Sequence, residues 1–302
     1  MNEHPALQAA GLGKRYGSKW ALEDCTLEIP AGSVTALVGP NGAGKTTLLQ
    51  LAVGLSEPTT GTVRVLGHSP RDEAVSVLPK IGFVAQEHPL YRGFSIKETL
   101  KLGQKLNPSW DDRVALDRIE RLGLPLRQKV GTLSGGQQAQ VALTLALAKR
   151  PQLLFLDEPV ASLDPLARRE FMQSVMEVVS DTGMTVVLSS HIVADLERVC
   201  DHLVILARAH TQLVGPIDEI VAGHRLLVGP RADSAAIARM HDVIRESHTE
   251  RQTTLLVRAN GHVYDSSWQV LEVDLEEIVL AYLGYGSDRG AAHAAAREAV
   301  AR

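Results

Sequence analysis

The chain has 302 residues and a formal net charge of −4, from 31 basic and 35 acidic side chains. That balance argues against a dedicated nucleic-acid binder, which carries net positive charge or a basic tract. With 45% hydrophobic and 22% charged residues, the chain reads as folded rather than disordered, and long enough for one large domain or two smaller ones.

Two cysteines, Cys25 and Cys200, exclude a disulfide scaffold and fit a reducing cytosol. Aromatic residues are scarce: five Tyr, four Phe and three Trp. The core must then be Leu, Val, Ile and Ala, which suits parallel strands covered by helices. Met1 to Ala10 is polar and has no apolar signal-peptide core. There is no run of ~18 apolar residues to span a membrane; the longest candidate, Val141 to Ala148, reads as a buried helix.

In chain order, residues 6–30 read as two strands joined at Tyr16-Gly17-Ser18. Ser33 to Val38 is a third strand, ending at a glycine cluster. Thr46 to Val53 has the pattern of a helix closed by Gly54. Residues 62–66 and 81–85 are short strands. Ser95-Ile96-Lys97-Glu98 has capping-box spacing and opens a helix that must end before Pro108. Asp111 or Asp112 caps a second helix, which stops at Gly123, and a third runs from Gln137 to Lys149. This helical block interrupts an α/β pattern. The pattern resumes with a strand at Gln152 to Leu156, a helix at 165–182, a strand at Thr185 to Leu188, a helix at 192–200 and a strand at Leu203 to Ala207.

From about residue 223 the composition shifts: no lysine follows Lys149, and His224, His241, His248, His262 and His293 all lie in this part. Strands are expected at Arg225 to Val228, Thr253 to Arg258 and Gln269 to Val273, with helices at Ser234 to Glu246 and Asp274 to Leu283. That order suggests a small α+β domain over 223–284, with a flexible tail over 285–302. The histidines lack compact metal-ligand spacing and read as solvated surface.

Gly39-Pro40-Asn41-Gly42-Ala43-Gly44-Lys45-Thr46 matches G-x-x-x-x-G-K-[ST] between a strand and a helix. Such a loop turns successive backbone N–H groups inward onto phosphate oxygens, assisted by the positive end of the following helix. Lys45 is placed to reach the β- and γ-phosphates, and the Thr46 hydroxyl to ligate Mg²⁺, which prefers a few hard oxygen ligands with phosphates and water. Asp157 and Glu158 follow an apolar strand, at the sheet edge where α/β proteins place ligands. Alone, such a pair is more often a helix cap or a solvated turn. With the cradle upstream, Asp157 suits the metal shell and Glu158 the attacking water.

Leu133-Ser134-Gly135-Gly136-Gln137, with the cradle and Leu156-Asp157-Glu158-Pro159, resembles the nucleotide-binding subunit of an ABC transporter. Further family elements stand in order: Tyr16 in Lys14-Arg15-Tyr16-Gly17, Gln86 in Val84-Ala85-Gln86, Asp164 in Ala161-Ser162-Leu163-Asp164, and His191 after Leu188-Ser189-Ser190. The resemblance covers about residues 6–222. It implies a P-loop NTPase of α/β class: a RecA-like core with N-terminal antiparallel strands and a helical subdomain at about 88–150, forming an ATP-binding domain over 1–222. Nucleotide contacts would come from Tyr16, Gly39, Pro40, Asn41, Gly42, Ala43, Gly44, Lys45, Thr46 and Thr47. Ser134, Gly135, Gly136, Gln137 and Asp164 would join them across a dimer seam. The metal would fall to Thr46, Gln86 and Asp157, and hydrolysis to Glu158, His191, Gln86 and Lys45.

The resemblance further implies ATP and Mg²⁺, a homodimer or heterodimer of ATP-binding subunits closed head to tail, and a separate integral-membrane permease. The subunit would sit peripherally at the inner face of the cell membrane and would not bind nucleic acid. The C-terminal region is similar to that of bacterial drug, antibiotic or lipid exporters. A soluble ABC-type ATPase of DNA repair, translation or regulation is the alternative; the long coiled coil or second cassette of such repair and translation proteins is absent. Tyr91 and Phe94 either anchor a permease helix or cover the subdomain's own core. Three departures from the family pattern stand out: Gln138-Ala139-Gln140 where an Arg or Lys is common, Val160-Ala161-Ser162 before Leu163-Asp164, and no glycine between Ala207 and Gln212.

Overall fold

The computed structural model describes residues 4–190, 196–231, 237, 239–259 and 267–284. Strands β1 (Leu7–Tyr16) and β2 (Lys19–Ile29) form the expected hairpin, and β4 (Thr60–Val65) pairs with β1 to complete an antiparallel sheet ordered β2-β1-β4. The second sheet contains β3 (Val34–Val38), β5 (Ile81–Val84), β6 (Leu153–Asp157), β7 (Thr185–Ser190), β8 (His202–Ala207) and β9 (His210–Pro216). Its order is β5-β6-β7-β3-β8-β9, parallel except for β9.

Alternation along these strands builds two cores, one on each face. Leu37, Leu153, Phe155, Val187, Val204 and Leu206 point to one face, where α1 (Lys45–Ala52) and the antiparallel sheet cover them. Ala36, Val38, Leu154, Leu156, Val186, Leu188 and Ile205 point to the other. That face is covered by α5 (Gly135–Ala148) and α6 (Pro165–Thr182). After β4 comes a single turn, α2 (Ala74–Val77).

Helices α3 (Ile96–Leu106) and α4 (Asp112–Arg121) join α5 in an arm with its own core of Ile96, Leu100, Ala115, Ile119, Leu133 and Val141. The capping box at Ser95 is present: Ser95 Oγ accepts from Glu98 N–H, and the Glu98 carboxylate accepts from Ser95 N–H. Asp111 is the cap of α4, its carboxylate accepting from the N–H groups of Arg113 and Val114. Helix α5 begins at Gly135, not Gln137, because Ser134 caps it and the two glycines form its first turn.

Beyond β8 the chain makes a two-residue hairpin through Arg208 (φ 50) and Ala209 (φ 68) into β9, then α7 (Ile217–Gly223). Neither β9 nor α7 is expected from the sequence: the turn lacks the glycine that such a turn favours. Strands β10 (His224–Pro230), β11 (Asp242–His248), β12 (Gln252–Arg258) and β13 (Gln269–Leu271) form an antiparallel sheet ordered β11-β12-β10-β13. Residues 275–284 are helical, here α8.

The helix expected through Glu246 is corrected: Asp242 onward is strand β11. Pairing with β12 outweighs the local helical pattern, and a bulge between Val243 and Arg245 keeps Ile244 buried. Leu256 and Ile244, with Leu275, Ile278 and Tyr282 of α8, continue the core of Leu213, Ile217 and Ile220. The other face of this sheet packs Leu227, Leu255 and Val257 on Trp268. The first four residues of the expected 192–200 helix, 192–195, lie outside the described residues; 196–199 form a turn. The expected tail at 285–302 and residues 234–236 and 238 of the expected 234–246 helix also lie outside the described residues.

Candidate functional site

The loop between β3 and α1 carries the cradle. Gly44 stands at φ 105, and a Cβ there would lie 2.5 Å from the Ala21 carbonyl oxygen and the Leu22 side chain. Only glycine fits between loop and hairpin, so the β1–β2 sheet sets the loop's depth.

The next residue, Lys45, is 4% exposed. Its ammonium donates to the carbonyls of Gly39 (2.8 Å) and Pro40 (3.3 Å) and pairs with Glu158 Oε1 at 3.0 Å. Thr46 Oγ1 donates to Asp157 Oδ1 at 3.2 Å. These four residues meet because β6, β7 and β3 are adjacent and end together, so the residues after their last rungs share one edge. Asp157 is the last residue of β6 and is 2% exposed. Glu158 follows it at φ 43, in the left-handed region that non-glycine residues occupy mainly where the surroundings hold them.

A cavity of about 700 Å³ opens over this edge. Tyr16, Asn41, Gly42, Gly44, Lys45, Thr46, Thr47, Gln86 and Glu158 line it, with Lys19, Ala21 and Ala161. Tyr16 is half exposed, and Lys14 Nζ lies 5.1 Å from its ring centroid. Gln86 follows β5 and faces a second, more apolar groove of about 760 Å³ that shares Thr46 and Asp157. That groove runs between the core and α3, past Leu55, Tyr91, Leu106 and Trp110. Tyr91 and Phe94 stack on each other with centroids 5.2 Å apart; both are exposed and neither belongs to the arm's core.

Other expected residues stand apart from the cavity. Ser134 is exposed and forms a capping box with Gln137: Ser134 Oγ accepts from Gln137 N–H at 3.2 Å, and Gln137 Oε1 accepts from Ser134 N–H at 3.0 Å. The N-terminal turn of α5 therefore presents the N–H groups of Gly135 and Gly136. A Cβ on Gly136 would meet Ala167 Cβ at 2.9 Å, which fixes how closely α5 approaches α6. Asp164 caps α6, accepting from the N–H groups of Leu166 and Ala167 at 3.0 Å each. His191 lies outside the described residues.

Two features were not legible beforehand. Ser189 of β7 hydrogen-bonds both Asp157 and the Glu158 backbone; in the sequence it is only a neighbour of His191. The second concerns Gln140, where the family commonly has a cation. Arg118 of α4 donates to Gln140 Oε1 at 3.4 Å, and Gln140 Nε2 to Ser174 Oγ of α6 at 3.4 Å. A guanidinium thus reaches this position from the neighbouring helix, and burial lowers its pKa to about 10.

Chemically, the edge offers a glycine loop at a helix N-terminus, an ammonium, a hydroxyl and two carboxylates around a water-accessible cavity, a set suited to a nucleoside triphosphate. Comparison with known proteins agrees. Residues 22–161 match the family described as ABC transporter. The phosphonates import ATP-binding protein PhnC of Maricaulis maris is 33% identical over 252 residues, 76% of this chain and 96% of its own length. The Nod factor export ATP-binding protein I of Rhizobium johnstonii is 34% identical over 248 residues, 75% and 79% respectively. The dimeric structure of MJ0796, a bacterial ABC transporter cassette, superposes with a TM-score of 0.63 at 26% identity, covering 70% of this chain and 98% of that one. Among the described residues no helix is long and apolar enough to cross a membrane. The chain belongs to the family of ABC transporter ATP-binding subunits, ATPases coupled to transport.

Proposed function

We propose that this subunit hydrolyses ATP in a head-to-tail dimer to drive a separate membrane permease, and that the cargo is exported. The observation that carries the hydrolytic reading is the meeting of Lys45, Thr46, Asp157 and Glu158 at one cavity edge. The donor set of Thr46 hydroxyl, Asp157 carboxylate and Gln86 amide oxygen suits Mg²⁺, which takes hard oxygen ligands and completes its shell with phosphates and water. When bound, the ion neutralises charge on the phosphates.

The chain's own residues do the rest. Loop N–H groups from Gly39 to Thr46 hold the phosphates, and Tyr16 stacks on the base. Lys45 leaves the Gly39 and Pro40 carbonyls to meet the β- and γ-phosphates. Glu158, with Gln86 and His191, orients the attacking water and accepts its proton.

The exposed Ser134-Gly135-Gly136 turn, set apart from its own cavity, is arranged to contribute N–H groups to a γ-phosphate held by a second subunit, with Gln137 and Asp164 beside the seam. The solved dimer of a similar cassette supports this reading. Contact with the permease is assigned to the apolar groove at Gln86, with Tyr91 and Phe94 as anchors. We read residues 223–284 as an accessory unit docked on the core through Ile217, Ile220 and α8.

The export reading rests on the C-terminal region, similar to that of bacterial exporters; likeness to a Nod factor export protein and to a phosphonates import protein is equal and favours neither direction. The test is affinity purification of the chain from membranes with identification of the co-purifying permease, together with Mg²⁺-dependent phosphate release by the pure protein. Reconstituted with that permease in vesicles, the complex should move cargo away from the ATP-bearing face. Accumulation on the ATP-bearing face would overturn export.

A further inference from the structure

Ser189 is fully buried at the end of β7, directly beside Asp157 in the parallel register. Its hydroxyl accepts a hydrogen bond from the Glu158 backbone N–H at 2.8 Å and donates one to Asp157 Oδ1 at 2.8 Å. The direction of both bonds is fixed, because an amide N–H can only donate and an ionised carboxylate can only accept. Thr46 also donates to Oδ1, which leaves Oδ2 as the Asp157 oxygen available to a cation. Glu158 meanwhile sits at φ 43, where the regular strand has ended. A glutamate stays in that region when its surroundings over-determine it, and its N–H is held by Ser189 Oγ.

We infer that Ser189 is a positioning residue for ATP hydrolysis: one hydroxyl sets both the backbone of Glu158 and the carboxylate plane of Asp157. The inference rests on the roles proposed above for those two residues. Ser189 is not among the residues lining the nucleotide cavity, so it governs the geometry of reaction rather than affinity for ATP. Removing the hydroxyl takes one hydrogen-bond partner from the Glu158 N–H and one from Asp157 Oδ1, and so loosens the Glu158 backbone and the Asp157 carboxylate. A misplacement of about 1 Å at a reacting centre costs on the order of 100-fold in rate.

The test compares wild-type, Ser189→Ala and Glu158→Gln full-length chains. It measures kcat and KM for ATP, Tm, and Mn²⁺ affinity in the presence of ATP by electron paramagnetic resonance, with Mn²⁺ standing in for Mg²⁺. Ser189→Ala should lower kcat roughly 10- to 100-fold with KM within about twofold. It should also weaken Mn²⁺ binding several-fold while Tm changes little. A kcat within twofold of wild type overturns the inference. So does a parallel loss of kcat, ATP affinity and Tm, which would make Ser189 merely a packing residue. Normal turnover by Glu158→Gln would instead overturn the role given to Glu158, and the Mn²⁺ arm would still report on Asp157.

Discussion

The Lys45 ammonium sits 3.0 Å from Oε1 of Glu158, with both side chains at least nine-tenths buried. Each charge answers the other where both side chains are largely buried, and an unpaired buried charge is costly. On the function proposed above, a γ-phosphate entering the cradle would compete for Lys45 and release Glu158 toward water, coupling nucleotide arrival to exposure of the carboxylate through this one ion pair.

Substitutions at the two ends of that pair should separate binding from turnover. Lys45→Ala should weaken ATP binding by about 2 kcal/mol or more, the scale of a hydrogen bond to a charged group, read by calorimetry. Glu158→Gln should leave ATP affinity intact, lower phosphate release on the order of 100-fold or more, and accumulate an ATP-dependent dimer on a sizing column. Normal steady-state hydrolysis by Glu158→Gln would remove it from the role of base.

Ser134 has two separable tasks. As the cap of α5 it accepts from Gln137 N–H, and Ser134→Ala should cost about 1 kcal/mol in chemical unfolding. At the proposed seam it should also weaken ATP-dependent dimerisation. Ser134→Asp keeps a good cap but adds negative charge beside the γ-phosphate. It should therefore restore stability and leave dimerisation impaired. Recovery of both by the Asp variant would argue against the seam.

Arg208, in the β8–β9 hairpin, occupies φ 50 and is exposed. Asparagine adopts that conformation more readily and loses no packing here. Arg208→Asn should raise stability by about 0.5–1 kcal/mol with unchanged ATPase activity. Equal or lower stability in urea titration would show that the turn carries no strain.

Acid should destabilise the chain in two stages. Burial holds His88, His202 and His224 below their ordinary value of 6.5. His224 Nδ1–H donates to Ile220 O at 2.6 Å, and the neutral ring accepts from Tyr282 O–H at Nε2, 3.0 Å away. With the folded values depressed, the unfolded chain takes up protons first as pH falls through 6.5, so stability is full above that pH and declines below it. A second decline should follow below about pH 4.5, where Glu98, held down to about 2 by the Ser95 cap and Lys129, begins to matter. Urea midpoints measured from pH 8 down to about 2 check both stages, and His224→Gln should flatten part of the first.

Motifs with a strict local chemistry were readable in advance. The cradle, the signature turn and the capping boxes at Ser95 and Ser134 depend on neighbours within a few residues, and the apolar runs of β3 and β6 declare strands buried on both faces. Residues 242–246 look helical in the sequence because their strand state comes from pairing with β12, a contact local periodicity does not encode.

The order of residues thus determined the class of fold, the glycine loop between β3 and α1, and the two carboxylates that stand at the end of β6. Only the tertiary structure decided that Lys45 pairs with Glu158, that Arg118 reaches Gln140 from another helix, and that Ser189 holds Asp157 and Glu158 together. The reason is physical: these contacts join residues 22 to 113 positions apart, and their geometry exists only once parallel strands and packed helices bring distant ends to one edge.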